Sequence, residues 1–70
     1  TMPDPCISLI DRLIAIRKNK GMTQKDLAQA ACLTQSVIAR LESKKATPQL
    51  DTLLKIVAAL DCHLEIVPIF

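Results

Sequence analysis

The run Thr34 to Glu42, TQSVIARLE, sets Gln35, Ser36, Ala39 and Arg40 off an apolar stripe made by Val37, Ile38 and Leu41. Those four side chains suit one kind of chemistry. A glutamine amide matches the N6 and N7 edge of adenine, and a guanidinium matches the O6 and N7 edge of guanine or, equally, a phosphate. Serine is permissive, and alanine can meet only a thymine methyl. Bond-making chemistry has no comparable support. The chain holds no Ser/His/Asp set and no carboxylate cluster, and its single glycine excludes a glycine-rich phosphate loop. Cys6, Cys32 and Cys62 lack metal-type spacing, and Cys62 beside the lone His63 cannot complete a zinc site. Reduced, mostly buried thiols are expected, with no metal, no cofactor and no enzymatic activity.

Side chains that read base edges must be carried on a firmly seated helix. Thr34 offers a hydroxyl as N-cap to this helix, expected over 35–43. Before it, Leu27, Ala28 and Ala31 form the apolar face of a shorter helix over 24–31, capped by Thr23, with Asp26 completing a weak capping box. Little chain lies between the two, so they must cross sharply, and the small side chain of Ala28 permits close approach. This is the layout of a helix-turn-helix, whose second helix enters the major groove.

Other elements follow from the same patterns. Met2-Pro3-Asp4-Pro5 reads as a stiff, extended lead-in. A first helix is expected over 6–19, opened by Asp4 or by Ser8 with Asp11 and stopped by Gly21. It has two apolar faces, Ile7, Ile10, Ile14 with Arg17, and Leu9, Leu13, Ile16. A fourth helix over 49–60 would bury Leu50, Leu53, Leu54, Val57 and Leu60. From 62 to 67 the period changes: Cys62, Leu64 and Ile66 alternate with His63, Glu65 and Val67, a strand pattern. No other segment reads as a strand, so the natural partner is the same strand of a second copy, paired antiparallel across a two-fold axis. The competing expectation is a frayed tail or one packed irregularly on the first helix. His63 reads as a half-exposed surface residue.

The segment from about Ile7 to Leu60 resembles the Cro-like phage-repressor (XRE) family of helix-turn-helix proteins, on Gln24, Leu27, Ala28, Ile38, Leu41, Glu42, Pro48 and Leu53 in order. The resemblance implies an all-α domain of four to five helices, to which the alternation over 62–67 adds a short C-terminal strand. It implies that Gln24 contacts a phosphate and braces Gln35, and that Thr23, Ser43, Lys45 and Thr47, with Lys44 beside them, flank the groove as backbone contacts. It also implies that Arg17 pairs with Glu42, locking the recognition helix and aiming the guanidinium near a phosphate. Two departures stand out: Cys32 and Lys44 occupy positions where the family commonly has glycine, and where φ is often positive. A strand after such a core is similar to that of antitoxins of the HipB kind.

Composition agrees with this reading. Seventy residues make one small domain, half of them hydrophobic and only Phe70 aromatic, so no platform for stacking single-stranded bases exists. The net charge of +2 hides an asymmetry. Residues 17 to 45 carry Arg17, Lys18, Lys20, Lys25, Arg40, Lys44 and Lys45 against Asp26 and Glu42 alone, while the remainder is acidic on balance. The absence of a membrane-length apolar run or a signal pattern leads to the expectation of a cytoplasmic protein. The function expected is that of a homodimeric repressor binding an inverted repeat in double-stranded DNA. The alternative is an antitoxin that neutralises a protein toxin through Leu9, Leu13, Ile16, Ile69 and Phe70 and regulates its own operon.

Overall fold

A computed structural model describes residues 3–69; Thr1, Met2 and Phe70, the last expected at a toxin surface, lie outside the described residues. Four helices form, α1 (Asp4–Asn19), α2 (Gln24–Ala30), α3 (Gln35–Glu42) and α4 (Leu50–Ala59). The fold is all-α. α2 packs chiefly on α3, with α1 also against α3 and α4 against α2.

Local chemistry explains the helix starts. At α2, Thr23 Oγ1 accepts the Asp26 N–H at 3.0 Å while Asp26 Oδ2 accepts the Thr23 N–H at 2.9 Å, a complete capping box. At α3, Thr34 Oγ1 accepts the Val37 N–H at 3.3 Å. The first helix begins earlier than expected. Pro5 has a preset φ and no N–H to leave unpaired, so it sits in the first turn, and the Pro3 carbonyl accepts from Cys6 and Ile7 with no side-chain cap. Neither Asp4 nor Ser8 caps it, and the chain from Asp4 is helix rather than extended lead-in.

All four helices end in the same device. The residue after each C-cap adopts a left-handed conformation: Gly21 at φ 71°, Cys32 at 58°, Lys44 at 62° and Asp61 at 59°. In each, two backbone bonds close over the helix end, as where Cys32 N–H reaches Gln29 O at 3.2 Å and Leu33 N–H reaches Ala28 O at 2.8 Å. These are Schellman motifs, and three of the four are made without glycine. Met22, Leu33 and Cys62, each following a left-handed residue, then fold back onto the core.

That core joins Ile10 and Leu13 of α1, Leu27 and Ala28 of α2 with Ala31 beyond it, Ile38 and Leu41 of α3, and Ile56, Val57 and Leu60. Ile10, Leu27, Ile38, Ile56 and Leu60 are fully buried, each contributing roughly 1.5–3 kcal/mol relative to an exposed side chain. Ala28 is buried against its neighbours, as a close crossing requires. Several expected faces are revised. Leu13 is buried and Ile16 packs on the core, so Leu9, Leu13 and Ile16 are no free partner surface. On α4, Ile56 replaces Leu50 and Leu54, which stay 68% and 45% exposed, and on α3 Val37 is on the rim. α4 is apolar nearly all round, and periodicity alone does not choose which stripe faces inward.

The expected strand over 62–67 is not formed: among the described residues no strand occurs, and Cys62 to Ile69 is neither helical nor in a ladder. A strand exists only through its hydrogen-bonded partner, and a single chain supplies none here. Its side chains are bare, with Ile66 98% and Ile69 90% exposed. The thiols also differ from expectation, since Cys32 is exposed and Cys6 and Cys62 are only half-buried, all three free.

Candidate nucleic-acid interface

One carboxylate organises the interface. Glu42, at the end of α3, accepts from Arg17 Nε at 2.7 Å and Nη2 at 3.0 Å, a bidentate pair between α1 and α3. Arg17 Nη1 donates to the Met22 carbonyl at 2.7 Å, tying in the α1–α2 turn. Gln24, the first residue of α2, donates from Nε2 to Glu42 Oε1 at 3.0 Å. Three helices are thereby bolted to one carboxyl group, whose pair is almost wholly withdrawn from water, with side chains 9% and 11% exposed. A charge removed from water this far is stable only when its hydrogen bonds are met, and each nitrogen of the guanidinium has a partner.

The expected pair of Arg17 and Glu42 is therefore present, with two corrections. The guanidinium spends its donors inward, so it does not lie open to a phosphate. Gln24 makes no hydrogen bond to Gln35; its amide is drawn instead to the stronger, charged acceptor at Glu42.

With α3 seated, its outer side presents Gln35, Ser36 and Arg40 to solvent, and Ala39 half-exposed. Thr23, Ser43, Lys45 and Thr47 are exposed around it, and Gln24 and Lys44 are half-buried. Thr23 Oγ1 accepts the Asp26 N–H in the cap, and its hydroxyl also supports the Asp26 carboxylate. Ser43 is turned back on its own helix, donating to the Arg40 carbonyl at 2.9 Å. Beside Arg40 lies a groove of about 420 Å³, lined also by Val37, Thr47, Gln49 and Thr52. Gln49 and Thr52 carry polar groups at this rim that sequence reasoning did not single out, since position in a loop or first turn says nothing of which neighbour is met.

The basic excess is partly neutralised in place. Lys44 Nζ pairs with Asp11 of α1, and Lys20 Nζ lies 3.3 Å from Asp61 Oδ2. Lys18, Lys25, Arg40 and Lys45 make no ion pair among the described residues, so they supply the unopposed positive charge. Asp26 is held below the usual carboxylate range, chiefly by the Thr23 backbone N–H and then by the Thr23 hydroxyl. No helix among the described residues is long and apolar enough to cross a membrane.

Residues 13–67 match the family model described as helix-turn-helix. The chain is a helix-turn-helix protein of the Cro-like kind. Among relatives of this helix-turn-helix chain is an uncharacterised HTH-type transcriptional regulator of Haemophilus influenzae, 43% identical over 63 residues, covering 90% of this chain and 64% of that protein. Another is antitoxin HigA1 of Mycobacterium tuberculosis, 34% identical over 59 residues, covering 84% of this chain and 40% of that one. The chain thus spans less than two thirds of the length of either curated relative. Among solved structures, a chain of a toxin-antitoxin module from Streptococcus pneumoniae superposes with a TM-score of 0.77 at 42% identity, covering 96% of this chain and 74% of that one.

Proposed function

We propose that this protein is a sequence-specific regulator of transcription that binds double-stranded DNA as a homodimer and represses by occupancy of an inverted repeat. The observation that carries the reading is the locked recognition helix: buried Arg17, with Glu42 and half-buried Gln24, fixes α3 while Gln35, Ser36 and Arg40 face outward together. A helix fixed this way presents its donors and acceptors at a defined spacing, which base-edge readout requires. Gln35 reads adenine and Arg40 reads guanine or holds a phosphate; Ser36 and Ala39 complete the reading face. Thr23, Gln24, Ser43, Lys45 and Thr47 position the backbone. No bond is made or broken in this activity, and it takes place in the cytoplasm, where the DNA lies.

The second copy pairs through residues 62–67, where Leu64, Ile66 and Val67 stand exposed beside backbone groups that, from His63 on, enter no ladder. Antiparallel pairing about a two-fold axis satisfies those groups and covers the apolar side chains. An antitoxin role is the second reading, favoured by the names of the HigA1 relative and the pneumococcal module. In that reading a toxin protein meets the exposed tail at Ile69, and DNA binding serves autoregulation.

In vitro selection from random duplexes at a stated, low salt concentration tests the proposal. Enrichment of an inverted repeat with half-sites about 10 base pairs apart supports both DNA recognition and the dimer. Failure to enrich any sequence overturns it and leaves the protein-binding reading.

A further inference from the structure

We infer that Asp11 acts as an intramolecular stand-in for a DNA phosphate, holding Lys44 out of the interface and setting how tightly and how salt-dependently the protein binds DNA. The inference rests on the DNA-binding reading above. Lys44 is the left-handed residue that ends the recognition helix, flanked by exposed Ser43 and Lys45. Its backbone is pinned, with Lys44 N–H bonded to Leu41 O at 3.0 Å and Lys45 N–H to Arg40 O at 3.4 Å, so only the side chain is free to choose a partner. That side chain runs back to α1, where its ammonium pairs with Asp11.

The pair is a surface feature, its side chains 34% and 55% exposed, and such pairs contribute little to stability. What it changes is charge. Lys44 and Asp11 together carry none, so at the rim of the basic surface Lys44 attracts no phosphate while paired. A shared ammonium does not avoid the conflict, because bridging would bring the Asp11 carboxylate beside the phosphate as a like charge. Lys44 must leave Asp11 to join the DNA, or be lost to it. Lys20, the other paired lysine, faces Asp61 at the far end of α4 and not at α3.

The experiment compares wild type, Asp11→Asn, Lys44→Gln and the double variant by fluorescence anisotropy on one fixed duplex, between about 50 and 200 mM salt. Asp11→Asn frees one cation, so affinity rises about two- to fivefold and the slope of log affinity against log salt steepens by about 0.9. The gain is then about 3.5 times larger at the lower salt. Lys44→Gln in the wild-type background bares the Asp11 carboxylate and so does not steepen the slope, and in the Asp11→Asn background it abolishes the gain. Thermal melting of each variant reports the folded state independently. If wild type binds but Asp11→Asn shifts neither affinity nor slope, or keeps its gain without Lys44, the inference is overturned while the DNA reading stands. If wild type binds no duplex at low salt, the DNA reading itself falls, and this inference with it.

Discussion

Replacing Cys32 with glycine stabilises this domain. Cys32 holds φ at 58°, in the turn between α2 and α3, where a side chain crowds the following carbonyl and costs about 1–2 kcal/mol. Glycine escapes that crowding but loses more chain entropy on folding, about 0.5–1 kcal/mol relative to alanine. The thiol is free and exposed, so little else is lost. The central values leave a net gain of about 0.75 kcal/mol, and in a domain this small it raises Tm by about 3–6 °C. Circular dichroism melts under reducing conditions measure it, with Cys32→Ala as the control that keeps the β-carbon and so keeps the strain. An unchanged or lowered Tm for Cys32→Gly, or an equal rise for Cys32→Ala, would refute the backbone argument. Lys44→Gly and Asp61→Gly relieve the same conformation but give up pairs with Asp11 and Lys20, so each gains less than Cys32→Gly.

Arg17→Ala leaves Glu42 buried without its cation and is expected to cost about 3–5 kcal/mol in urea denaturation; a melt indistinguishable from wild type would show that the bidentate pair does not hold the fold. Gln35→Ala, at an exposed position, is expected to leave Tm unchanged and to relax discrimination at one base pair by about 1–3 kcal/mol, measured by repeating the selection; an unaltered preference at every position would remove Gln35 from the reading face. The depressed Asp26 carboxyl stabilises the folded state above its ordinary value of 3.8, and that contribution is lost as pH falls from there through the lowered folded value. Asp26→Asn therefore flattens the dependence of Tm on pH in that acid range, and identical profiles for both proteins would argue against the capping box as the cause.

Caps and turns were legible because their partners are close in the chain. Thr23 with Asp26, and Thr34 before Val37, are local chemistry, and both form as expected. The left-handed residues Cys32 and Lys44 were marked by standing where the resembled family has glycine, while Asp61 carried no such mark beyond the tolerance of aspartate for that conformation. The solvent-facing side of α3 was also legible, since Ser36 and Arg40 fall across the helix from Ile38 and Gln35 stands exposed at its start. The contacts of the site were less so. Glu42 was expected as a partner of Arg17 by resemblance, yet its hold on Gln24, and the turning of Lys44 toward Asp11, join residues distant in the chain.

By itself the sequence determined where α2 and α3 begin and which side of each turns inward, because periodicity and capping act within a few residues. The tertiary structure alone decided which apolar stripe of α1 and α4 is covered, that Arg17 faces inward, and which lysines remain open to a polyanion. Burial and ion pairing depend on the neighbours that packing brings together, and a helix apolar on several sides leaves that choice to the elements it meets.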